Sequence, residues 1–109
     1  MIRELRKRFL PRFVQSARTH VERARTACQG ADTAAPADRS SARWRVVRHE
    51  MHALSGEAAM LELEAVGPLA KAAEGAAARA ARHGEAAAEV DRLIDEIARA
   101  LDALETDAP

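Results

Sequence analysis

The stretch Met51-His52-Ala53-Leu54-Ser55-Gly56-Glu57-Ala58-Ala59-Met60-Leu61 places one histidine among small residues beside an apolar seam. The seam is Val47, Met51, Leu54, Ala58, Leu61 and Ala65, spaced four, three, four, three, four. That is the spacing of a helix facing a bundle core. His52 follows Met51, so it stands about 100° around the helix from the seam. Ser55, Gly56 and Ala59 come three, four and seven positions later, on the side of His52. An imidazole on a flat, small-residue helix face is accessible to something as large as another protein. This is the geometry that a protein-to-protein phosphoryl carrier needs. An imidazole with the ordinary pKa of about 6.5 is mostly neutral and nucleophilic at pH 7. It can attack a phosphoryl group and hold it as a phosphoramidate. The bland alternative is a solvated surface histidine.

Other titratable residues lie near by. Arg48 and Arg45 precede His52 by four and seven positions, on its side of the helix, and could reach a phosphate. They could equally be ordinary surface arginines. His49 shares the face, three positions back. Two histidines make an incomplete metal site, since zinc takes at least three protein ligands, so no metal is expected. His49-Glu50-Met51-His52 is one residue short of the zinc-protease His-Glu-x-x-His spacing, because position 53 is Ala53. His20 and His83 read as solvated side chains or helix-end residues. Ser16 and Ser55 lack a base in any catalytic arrangement, and no glycine-rich phosphate loop is present. The chain is therefore no kinase.

The elements that must position His52 follow from the remaining periodicity. A helix over 11–28 carries Val14, Ala17, Val21, Ala24 and Cys28 on one stripe, which Leu10 continues just before it. Pro11 is tolerated in a first turn and breaks an interior. Residues 2–9 are therefore expected as a short leading helix or a kinked extension. Residues 29–40 read as a polar loop with Gly30 and Pro36 as breakers. A helix over about 41–62 carries His52, with Asp38 or Ser40 as its N-cap. Gly67-Pro68 opens a helix over 66–82 with Leu69, Ala73, Ala76 and Ala80 on its stripe, ending near His83-Gly84. The last helix, about 85–105, carries Ala87, Val90, Ile94, Ile97, Leu101 and Leu104, and the tail 106–109 should fray. Four such seams with short connections describe an all-α, antiparallel up-down four-helix bundle.

Size and composition agree. The chain has 109 residues, enough for one domain spanning 1–109 with one modest core. Two Phe, one Trp and no Tyr leave a core of aliphatic residues and alanine. No apolar run approaches the ~20 residues of a membrane span, and the basic N-terminus lacks the apolar stretch of a signal peptide. The single Cys28 excludes an intramolecular disulfide, suits a reducing cytoplasm and falls on a core stripe. Net charge is zero, but residues 1–54 hold 12 basic and 5 acidic side chains, and residues 55–109 hold 5 and 12. The expectation is that the basic first helix and the acidic last helix lie side by side and neutralise each other. The rival is a nucleic-acid or membrane-surface binder using Arg3, Arg6, Lys7, Arg8 and Arg12, but Trp44 alone offers no stacking platform for bases.

Around His52 the sequence resembles the histidine-containing phosphotransfer (HPt) domains, the relay modules of bacterial phosphorelays. Their signature runs roughly His-x-Leu-Lys-Gly-small-x-x-x-apolar-Gly on the second helix of a four-helix bundle. The matching residues are His52, Leu54, Gly56, Ala58 and Leu61, with Glu74 near the place of a frequent Leu-Glu pair. Two positions depart: the usual lysine three after the histidine is Ser55, and the usual glycine ten after it is Glu62. The resemblance implies a free-standing carrier with His52 as phosphoacceptor. With His52 as the acceptor, helical spacing makes Arg48, Ser55 and Arg45 the candidate phosphate-stabilising side chains, and His49, Gly56 and Ala59 a docking surface. The implied partners are response-regulator receiver domains and a hybrid sensor histidine kinase, with neither nucleic acid nor membrane. The protein is expected to be a cytoplasmic monomer that needs no cofactor of its own, the Mg ion residing on the partner receiver domain. The absent lysine supports a second reading: a degenerate HPt-like module that docks receivers or other proteins without carrying phosphate.

Overall fold

The computed structural model describes residues 2–29, 38–83 and 86–107. Every element among them is helical: α1 (Ile2–Gln29), α2 (Asp38–Met60), α3 (Gly67–His83) and α4 (Ala87–Asp107). Contacts run α1–α2, α2–α3, α3–α4 and α4–α1, which closes an up-down antiparallel four-helix bundle. The breakers Gly30, Pro36 and Gly84 and the tail residues 108–109 lie outside the described residues, as do the side chains of Arg3, Asp38, Ser40 and His83. The α2 backbone is already helical at Asp38.

The core is where the seams place it. Val14, Ala17, Val21 and Ala24 of α1 face Val47, Met51, Leu54 and Ala58 of α2 and Val90, Ile94, Ile97 and Leu101 of α4. Trp44 and Phe13 fill the two ends. From α3 come almost only methyl groups, on Ala70, Ala73, Ala76, Ala77 and Ala80. Small side chains let backbones approach: a Cβ built on Gly67 would stand 3.7 Å from that of Ala58. The basic and acidic helices do pair: Arg18 meets Asp102 at 2.8 Å and Glu105 at 3.0 Å, and Arg25 meets Asp95 at 3.1 Å. Among the described residues no helix is long and apolar enough to cross a membrane.

Two expectations need correction. Of the two alternatives for residues 2–9, the separate leading helix fails and the extension holds, since α1 runs unbroken through Pro11. Lys7 and Pro11 are both exposed, so the carbonyl that Pro11 leaves without a helical donor lies on the wet side. Arg6 anchors the extension, its Nε donating to the Leu61 carbonyl at 2.8 Å and its Nη2 to the Glu62 carbonyl at 2.6 Å. Those carbonyls sit at the α2 C-terminus, where helical partners run out. Arg6 is thus engaged with the α2 terminus, with its side chain still 39% exposed.

The second correction concerns the end of α2, which stops at Met60 and not at 62. Leu63 N–H donates to the Ala58 carbonyl at 2.9 Å and Glu62 N–H to the Ala59 carbonyl at 3.1 Å. This is a Schellman closure with Glu62 at its left-handed position, φ 53°. The chain turns away there, so Ala65 is exposed, and Leu63 and Val66 take the buried places beyond the helix.

Candidate functional site

The seam residues Val47, Met51, Leu54 and Ala58 are fully buried, which fixes the rotation of α2 and turns His52 outward. The His52 side chain is 75% exposed. Its Nδ1 lies 3.1 Å from Oε2 of Glu74, which comes from α3 and is 29% exposed. An ionised carboxylate only accepts, so Nδ1 carries the proton and donates. The Nε2 lone pair is then left on the solvent side. A ring oriented through one nitrogen with the other free is the arrangement of a positioned nucleophile.

Around it the outer face of α2 is short of charge. His49, Gly56, Ala59 and Met60 are exposed, Met60 to 80%, and Ala53 is half-buried. The charged side chains described on this side of α2, Arg45 and Arg48, lie toward the N-terminal half of the helix, both exposed and without an acidic partner among the described residues. A Cβ built on Gly56 would meet nothing within 4 Å. The glycine therefore does not serve helix packing, and the surface it leaves is flat. Ser55 is half-buried and its hydroxyl donates to the His52 carbonyl at 3.2 Å, a bond within its own helix.

The solvated role expected for His20 is wrong. His20 is enclosed between α1 and α2, with its side chain 13% exposed. Nδ1 faces Oε1 of Glu50 and Nε2 faces Oε2 of Glu57, each at 2.6 Å. Ser16 Oγ donates to the other Glu57 oxygen at 2.7 Å, and Arg23 approaches Glu50 at 3.9 Å. With a carboxylate at each nitrogen, the ring is held as an imidazolium. Burial opposes that charge, but the two carboxylates outweigh it and raise the pKa above its ordinary value. The signal was present in the sequence: Ser16, His20 and Arg23 follow at four and three, and Glu50 and Glu57 are one heptad apart. Each set borders its apolar seam, which is where paired polar groups between helices sit.

Other candidates fall away. Burial pushes the Cys28 thiol up to about 11, far from a reactive thiolate. Among the described residues no three His, Cys, Asp or Glu side chains are grouped to hold a metal ion.

Comparison with known proteins bears on this bundle as a whole. The family model described as Hpt domain matches residues 8–106. That span begins within α1 and ends within α4, so the chain belongs to the Hpt domain family. No match was found among curated proteins or among solved structures.

Proposed function

We propose that this protein relays a phosphoryl group between receiver domains in a phosphorelay, carrying it on Nε2 of His52. One observation carries the reading: an exposed imidazole whose Nδ1 is held by Glu74 and whose Nε2 faces solvent. The Nε2 lone pair attacks the phosphorus of a receiver's aspartyl phosphate. The phosphorus–oxygen bond breaks and its electron pair leaves with the carboxylate. The Nδ1 proton stays in place, so the phosphorylated ring is a cation, and Glu74 is its counter-ion. Transfer onward reverses the step: the phosphorus–nitrogen bond breaks and its pair returns to Nε2. The receiver supplies the Mg ion and acidic pocket; this chain supplies position and a fitting surface. His49, Gly56 and Ala59 form that surface around the ring, and Arg48, with Arg45 a turn beyond, offers cations on the N-terminal flank. The donor would be a hybrid sensor kinase and the acceptor a response regulator, meeting a cytoplasmic monomer.

The test is incubation with a radiolabelled, phosphorylated receiver. Label should be acid-labile and alkali-stable, and His52→Gln should remove it while helical circular dichroism is unchanged. Label surviving in His52→Gln would move the assignment to His49. The second reading, a docking module without phosphate, is favoured by Ser55, whose hydroxyl is engaged within the helix and brings no charge. It predicts receiver binding with no label in the parent protein.

A further inference from the structure

The α2–α3 pair has a register, and two contacts fix it. His52 meets Glu74 at 3.1 Å, and a Cβ on Gly67 would stand 3.7 Å from that of Ala58. Between these contacts the helices run antiparallel. Three residues from His52 toward the end of α2 is Ser55; three residues from Glu74 toward the start of α3 is Lys71. Positions 67, 71 and 74 follow at four and three, so Lys71 shares the stripe of α3 whose other two members touch α2. Lys71 is exposed and makes no ion pair among the described residues.

We infer that Lys71 supplies, from α3, the phosphate-facing cation on the flank where α2 carries Ser55. This rests on the carrier reading of His52. The ammonium sits on a flexible four-carbon stem. A dianionic phosphoryl group on Nε2 draws it in, and the group then lies between Arg48 on one flank and Lys71 on the other. Glu74 stays with Nδ1, so the carboxylate and the ammonium serve opposite ends of the phosphorylated ring. The lysine positions the phosphoryl group and takes no proton.

Phosphoramidate, a small phosphoryl donor that releases ammonia on transfer, tests this without a partner protein. In the parent, phosphorus NMR should show one phosphohistidine resonance that is absent from His52→Gln. Lys71→Ala should slow its appearance about tenfold, the scale of one charge-assisted contact at a partly exposed site. The phosphoryl group of that variant should also titrate at higher pH, because a neighbouring cation favours the dianion. Ser55→Lys added to Lys71→Ala should restore both values. A labelled parent whose Lys71→Ala variant matches it in rate and titration overturns the inference and leaves the carrier reading standing. Failure of Ser55→Lys to restore either value also overturns it. A parent that takes no label at His52 overturns both.

Discussion

His52 Nδ1 and Glu74 Oε2 meet at 3.1 Å across the α2–α3 seam, joining an exposed ring to a half-buried carboxylate. Without that carboxylate the ring turns freely and either nitrogen can carry the proton. Glu74→Ala should lower the phosphorylation rate of His52 about tenfold, the scale of one lost charge-assisted hydrogen bond. Glu74→Gln should keep the orientation and lose the counter-charge, falling between the two. Rate constants from stopped-time labelling check this, with thermal unfolding showing no matching loss of stability.

Gly56 stands in open space on a helix face. Gly56→Ala should raise stability by about 1 kcal/mol, because it removes a mid-helix glycine and meets no neighbour. Gly56→Leu should also fold, yet hinder transfer from a receiver while leaving phosphoramidate labelling intact. A Gly56→Leu protein that accepts phosphate from a receiver at the parent rate would end the docking role of this face.

Glu62 occupies a left-handed position at φ 53°. A side chain there costs about 1 kcal/mol relative to glycine. Its ion pair with Arg6 is long, at 4.0 Å, and exposed, so little is lost with it. The Arg6 bonds to the Leu61 and Glu62 carbonyls involve backbone and survive the change. Glu62→Gly should raise the denaturation midpoint by about 1 kcal/mol equivalent, read by the fluorescence of the buried Trp44.

His20 makes stability depend on pH. Its pKa is raised in the folded protein, so its contribution is complete below about pH 6.5 and is lost as pH rises through the folded value. The melting temperature should fall as pH rises above neutrality. His20→Leu should flatten that slope and cost about 3 kcal/mol, since the Glu50 and Glu57 carboxylates are left facing each other. Adding Glu50→Leu should return much of the loss. A slope that persists in His20→Leu would assign the effect to another group.

The legible parts of this molecule are those fixed by period. The seams of all four helices reappear in or against the core, save Ala65 past the end of α2, because apolar residues at three and four have one stable arrangement in water. His52 was legible because the seam beside it sets its direction. What escaped notice depended on two helices at once. His20 looks polar and surface-bound from α1 alone, and only the pairing with α2 brings Glu50 and Glu57 to it. The unbroken run through Pro11 likewise depends on Arg6 reaching carbonyls 55 and 56 residues away. The stop at Met60 is set by backbone bonds that no side-chain pattern announces.

The methyl-sized interior of α3 acts as a set of shims. Gly67 meets Ala58 of α2, the buried Ala70, Ala73 and Ala77 follow it along α3, and Glu74 rides on the spacing they allow. An ångström of wedging would break the bond to Nδ1 without touching the ring. Mutational tolerance should therefore be lopsided across the bundle. The broad side chains of α4 can be exchanged for others of like volume with modest loss. A single valine in place of Ala70, four residues before Glu74, would be felt at His52 as a change in chemistry before it is felt as a change in stability.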